Sequence, residues 1–202
     1  MSLSVGVAAA ALGGLLGVAI GLISGYWGGS IADTLFMRLA DLQLSFPFLL
    51  LALVALMVIG PGLVNLILIL GVTGWVIFAR LVRGQVLSIR ARSYVEAARA
   101  LGATDRYIVL KHVARNALGS SLALAALEVG RKISQEAALS FLGMGVPPPF
   151  PSWGGMLADG RAYISSAWWV STFPGVAIML LILSVSQVGD WVAVIIDPKQ
   201  KK

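Results

Sequence analysis

Ionisable side chains are scarce in this chain, so each one narrows the chemistry available to it. One segment groups four of them: Glu128, Arg131, Lys132 and Glu136. Glu128–Lys132 and Lys132–Glu136 are four residues apart and Glu128–Arg131 three apart, spacings that let opposite charges pair along one helical face. His112 is the only histidine and cysteine is absent, so neither a histidine pair nor a thiolate site can hold a metal. No Gly-Lys pair occurs, which removes the phosphate-cradling loop of nucleotide hydrolases. The residues point away from an enzyme, and toward a chain with no catalytic group, cofactor or metal of its own.

The surroundings of these charges explain their scarcity. Of 202 residues, 58% are apolar and 12% charged, and the mean hydropathy is +0.91. A soluble domain carries about twice that share of charge, and disorder needs low hydrophobicity. An integral membrane protein remains. Uncharged stretches run over 1–32, 42–79, 137–158 and 162–189. A hydrocarbon core about 30 Å thick needs roughly 20 helical residues. The second stretch is too long for one crossing and breaks at Gly60-Pro61-Gly62, a turn signal. The expected architecture is an all-α polytopic membrane helix bundle of about five transmembrane helices. Their spans are predicted near 3–25, 42–59, 63–83, 117–141 and 173–194. Strand-like alternation is missing, which argues against a barrel.

Orientation follows from the basic residues. Eight of the fifteen lie between Arg80 and Arg115, three follow Pro198, and Arg38 sits in the connection before the second span. The opposite connections hold only Arg161. Basic loops favour the cytoplasm, so 84–116 is expected inside, 143–172 outside, and the C-terminus inside. The net charge of +6 therefore reads as a topology signal, and nucleic acid is not an expected partner. Met1–Gly25 lacks the basic start of a cleavable signal peptide.

The first span carries Gly13, Gly17, Gly21 and Gly25 at every fourth position. Small residues so spaced let two helix backbones approach closely in lipid, and that packing role is preferred to a glycine-lined pore. Tyr26 and Trp27 suit the membrane interface.

Residues 93–118 read SYVEAARALGATDRYIVLKHVARNAL. Ser93 and Glu96 have capping-box spacing, the alanines favour helix, and Gly102 suits a left-handed helix stop. Thr104 or Asp105 is placed to cap a second helix ending near Asn116. A two-turn helix has little stability alone, so its alanine-rich face calls for cover, from its own domain or from a partner's groove.

These residues resemble the cytoplasmic signature of permease subunits of binding-protein-dependent ABC importers: Glu96-Ala97-Ala98, three residues, then Gly102. Leu81-Val82-Arg83-Gly84-Gln85-Val86-Leu87, Ala138-Leu139-Ser140-Phe141-Leu142-Gly143 and Pro151-Ser152-Trp153-Gly154 extend the resemblance to the dipeptide, oligopeptide and nickel branch. The resemblance implies an inner-membrane permease forming half of a translocation path for peptides or a nickel chelate. It implies as partners cytoplasmic ABC ATPase subunits, which bind ATP and Mg, a second permease subunit in a homo- or heterodimer, and an extracytoplasmic solute-binding protein. Tyr94, Glu96, Ala97, Ala98, Leu101 and Gly102 would then form the coupling helix seated on an ATPase.

Other residues keep two readings. Glu128, Arg131, Lys132, Ser134 and Glu136 lie at bilayer depth, where charges usually face a protein interior or a watery cavity. They are expected to line the translocation path, unless Arg131 and Lys132 snorkel outward from a shorter span. Arg80, Arg83, Arg90 and Arg92 are topology determinants on anionic lipid or contacts to the ATPase. Pro147-Pro148-Pro149 predicts an extended left-handed strut, and Trp153, Tyr163, Trp168 and Trp169 an interfacial belt. Pro174 is expected to start the last span, and Trp191 with Lys199, Lys201 and Lys202 to anchor its end.

The family pattern has six spans, and this chain begins where the second would. That leaves a truncated, transport-incompetent fragment or a membrane scaffold as the alternative, with an ion-coupled secondary transporter further off because no internal duplication is visible. Arg115 stands where the family pattern has a proline, and Arg131 and Lys132 where it has small or apolar residues.

Overall fold

The computed structural model describes residues 1–196, and the tail lysines Lys199, Lys201 and Lys202 lie outside the described residues. Every regular element among them is helical. Helix α1 spans Ser2–Tyr26, α2 Ile31–Leu44, α3 Phe48–Ile59, α4 Leu63–Arg90 and α5 Ser93–Ala100. A short α6 (Asp105–Tyr107) runs through a π-helical segment (Ile108–Ala114) into α7 (Arg115–Phe141), and α8 (Trp153–Gly160) and α9 (Trp169–Ile196) follow. The helices α1, α4 and α9 are each long and apolar enough to cross a bilayer. The pair α2–α3 is a fourth if its bend is counted within one span. Helix α7 has 27 residues, about 40 Å, but carries the four charges.

The bundle is organised around α1 against α4. Gly13, Gly17, Gly21 and Gly25 all face α4. A methyl group at Gly13 would sit 2.8 Å from the Gly71 carbonyl oxygen, and one at Gly21 would sit 2.7 Å from Val82 Cβ. The contact is backbone against backbone, as the four-residue spacing predicts. Helix α7 then packs on α1, with Ile133 against Gly6, and α9 packs on α7 through Ile178.

The second span differs from the continuous helix expected over 42–59. The chain is already helical from Ile31, and α2 and α3 meet at 94°. Pro47 supplies the physical reason: it lacks an amide hydrogen and disfavours helical geometry at Phe46. Ser45 Oγ returns to the Asp41 carbonyl at 2.9 Å as α2 ends. Gln43 holds this end against α4, donating to the Thr73 carbonyl at 2.7 Å and accepting from Trp75 Nε1 at 2.9 Å. Arg38 therefore lies on a helix instead of in a connection.

Two further boundaries shift. Helix α9 begins at Trp169 with Pro174 inside it, and the second helix of the basic segment continues into α7 without a stop at Asn116. The Pro147-Pro148-Pro149 run is a turn and not a strut. Phe150 N–H donates to the Pro147 carbonyl at 3.3 Å around a cis Pro148–Pro149 peptide, a turn class defined by cis proline in its second half. Tyr163, Trp168, Trp169 and Trp191 are exposed, whereas Trp153 packs on Ile133, Ala137 and Ile178.

Replacing Gly17 by leucine is expected to force α1 off α4, because the added carbon meets backbone at Trp75 and Ala79. Overpacking costs about 1–3 kcal/mol even where neighbours yield. Thermal unfolding in detergent should show a clear loss of stability, whereas Leu15→Ala, at an exposed position on the same helix, should be silent.

Candidate functional site

Residues 93–102 form the rod their composition predicts. Helix α5 ends in a Schellman motif: Ala103 N–H donates to the Ala98 carbonyl at 3.1 Å and Gly102 N–H to the Arg99 carbonyl at 3.0 Å. Gly102 has φ +85°, a left-handed conformation that a Cβ would oppose. Thr104 caps the next helix, accepting from Tyr107 N–H at 3.4 Å. The capping box does not form. Arg92 is the N-cap, no side chain caps the helix, and Ser93 is already inside it. Glu96 is left exposed.

One apolar side chain of α5 is buried, Val95, which joins Tyr26, Val82, Val86, Ile108 and Val113. Tyr94 accepts from Asn116 Nδ2 at 3.4 Å, and Arg99 reaches the Tyr26 hydroxyl at 3.2 Å. That hydrogen bond raises the pKa of the Arg99 guanidinium. Ala97 and Ala100 stay exposed, and Leu101 is 88% exposed. The chain's own domain therefore does not cover the alanine face.

The arginines of α4 make contacts within the chain. Arg83 grips the buried Asp33 of α2 in a two-pronged contact, Nε–Oδ1 at 2.6 Å and Nη2–Oδ2 at 2.8 Å. Such paired geometry is the strong form of the Arg–carboxylate bond. Arg80 pairs with Asp41 on the surface. Arg90 donates to the last carbonyls of α1, Tyr26 at 2.6 Å and Gly25 at 3.4 Å, where a cation suits the helix dipole. Arg92 remains exposed. Asp33 and Asp41, overlooked in the sequence, carried the signal: isolated acids in an apolar chain need partners.

The charges of α7 are brought together only in part. Glu128 and Arg131 pair at 3.4 Å. Lys132, 2% exposed, donates to Gln135 at 3.1 Å instead of meeting Glu128 or Glu136, and its ammonium lies 5.7 Å from the Phe48 ring. Glu136 is fully buried and accepts from Ser140 Oγ at 2.6 Å. Burial decides the difference: Lys132 is pulled into the α4–α7 contact beside Gly74, which fixes its ammonium away from the carboxylates. Ser134 is exposed and so does not share a face with Glu136. A cavity of about 60 Å³ opens beside this group, lined by Gln43, Phe48, Glu128, Arg131, Lys132 and Gln135.

A polar chain continues from Glu136 toward α8. Ser140 Oγ also accepts from Val146 N–H at 3.3 Å and contacts Ser152 Oγ at 3.4 Å. Ser152 caps α8 by accepting from Gly155 N–H at 3.0 Å. Ser140 stands four residues after Glu136, the spacing that would have revealed it. The link from α7 to the loop bearing α8 exists only in the folded chain.

Comparison with known proteins places these features. Residues 17–202 match the family described as binding-protein-dependent transport system inner membrane component. The dipeptide transport system permease protein DppC of Alkalihalophilus pseudofirmus is 40% identical over 201 residues, covering 100% of this chain and 66% of that protein. The oligopeptide transport system permease protein OppC of Bacillus subtilis is 41% identical over 202 residues, again covering 100% and 66%. The chain thus spans about 66% of the length of these curated relatives. A subunit in an inward-facing structure of the MetNI methionine ABC transporter shares the fold, with TM-score 0.76, 22% identity, and coverage of 97% of this chain and 93% of that one. Fold, signature helix and sequence agree, and the chain belongs to the family of binding-protein-dependent transport system inner membrane components.

Proposed function

We propose that this chain is the membrane-spanning permease half of an ATP-driven importer for peptides, with a related solute such as a nickel chelate as the narrower substrate alternative. The observation that carries the reading is α5: a capped rod attached along one side, with Ala97, Ala100 and Leu101 bare. A rigid, uncovered helix of small residues fits a groove on a partner. The partner is a cytoplasmic ABC ATPase, which binds ATP and Mg, and Tyr94, Glu96, Ala97, Ala98, Leu101 and Gly102 form the coupling element. A second permease subunit completes the path, and an extracytoplasmic solute-binding protein delivers the cargo.

In the bilayer, 1–202 acts as a single transmembrane domain of five spans, with α7 as the charged one. Loop 84–116 and the C-terminus face the cytoplasm, and loop 143–172 faces outward. The exposed Arg131 and Ser134 face the path, while Glu128, Lys132 and Glu136 support it from the interior. The chain transmits work but performs no catalysis.

The test of coupling is a cysteine crosslink. Leu101→Cys in the assembled importer should crosslink to the ATPase subunit, and Leu101→Asp should depress transport at least about tenfold, by placing an unpaired charge in an apolar groove. Absence of any crosslink in an intact complex contradicts the coupling role. For the path, Arg131→Cys should react with a water-soluble thiol reagent while Lys132→Cys stays protected. The reverse pattern would exclude this arrangement of α7.

A further inference from the structure

The attachment of α5 to the bundle rests on few contacts, and one side chain stands at their junction. Tyr26 ends α1, is 5% exposed, and packs its ring with Val82, Val86, Ile108 and Val113. Its hydroxyl reaches out of that apolar cluster. It donates to Asp105, the first residue of α6, and accepts from Arg99 Nη2 of α5 at 3.2 Å. Arg99 and Asp105 are themselves 3.9 Å apart, bracing the turn at Gly102 from both sides. The main-chain carbonyl of Tyr26 meanwhile accepts from Arg90 at the end of α4. One residue therefore ties the ends of α1, α4 and α5 to the start of α6.

A rod fixed only near Val95 would rock about that point. The Tyr26 hydroxyl supplies a second anchor at the C-terminal end of α5, and two anchors set a direction. Beside the joint lies an open cavity of about 850 Å³ lined by Tyr26, Trp27, Arg90, Arg99, Thr104 and Asp105. The hydroxyl, with the Arg99–Asp105 pair beside it, holds α5 against swinging into that space.

We propose that Tyr26 is a positioning residue for energy coupling, its hydroxyl joining Arg99 and Asp105 so that force applied to α5 moves α1 and α4. The proposal rests on the coupling role of α5 given above. The ring and the hydroxyl have separable duties: the ring belongs to the core and the hydroxyl to the joint. Tyr26→Phe keeps the first and deletes the second.

The experiment uses the complete importer, with ATPases, second permease and binding protein, in proteoliposomes. Three quantities are read for each variant: assembled complex, the Leu101→Cys crosslink to the ATPase, and ATP hydrolysed per peptide imported. Tyr26→Phe should leave assembly and crosslink intact and raise the ATP-to-peptide ratio roughly tenfold, the scale of one charge-assisted hydrogen bond. Asp105→Ala, at an exposed position, should do the same. The double variant should fall short of the combined effect of the two single ones, because both remove the Tyr26–Asp105 bond. An unchanged ratio with the crosslink retained overturns the proposal, as do additive effects in the double variant. Loss of complex at a constant ratio assigns Tyr26 to stability alone and also overturns it. A missing crosslink in the parent importer instead defeats the coupling reading, which distinguishes the two failures.

Discussion

Close approach of two backbones, α1 on α4, is the constraint on which the remaining structure depends. Every fourth residue of α1 between Gly13 and Gly25 is glycine, and carbonyls or Cβ atoms of α4 occupy the space that side chains would need. In lipid no hydrophobic driving force holds helices together, so such dense packing contributes much of the association. Once α4 is fixed, its C-terminal half presents Arg80, Arg83 and Arg90 at set heights. Asp41, Asp33 and the end of α1 meet them in turn. Helix α2 is thereby held alongside α4, and α5 departs from a fixed point at Ala91.

The same logic governs the polar interior of α7. Charges at membrane depth persist where other groups surround them. Glu128 takes Arg131, Lys132 takes Gln135 and the Phe48 ring, and Glu136 takes Ser140. Through Ser140 and Ser152, the buried carboxylate is connected to the loop that carries α8. Both ends of the bundle are thus tied by polar contacts to elements that lie outside the long helices.

Local features were legible in the sequence where they depend on neighbours a few residues away. The glycine stripe, the left-handed Gly102, a cap at Thr104 or Asp105 and the break at Gly60–Gly62 follow from spacing and backbone preference alone. Contacts between distant residues were not. Asp33 lies 50 residues from Arg83, and nothing local marks them as a pair. Ser93 and Glu96 show the opposite failure: their spacing fits a capping box, but α5 starts one residue earlier and leaves the box unformed. The i,i+4 pairs expected at Lys132 lost to burial against Gly74, a tertiary constraint that overrides helix-face spacing. The alanine face of α5 was readable as unfinished, and its outward exposure needed the fold.

Through Tyr26, Arg90 and Arg99 these contacts join α5, α1 and α4 into a single body. Spin labels at Leu101, the residue that follows α5, and at Ile23 on α1, both exposed, measure it by electron–electron distance in the complete importer. Between nucleotide-free and ATP-trapped states that distance should stay constant, while the distance from either label to the second permease changes. A shift of more than about 5 Å between Leu101 and Ile23, one helical turn, would mean that α5 moves independently of the bundle and would contradict the account.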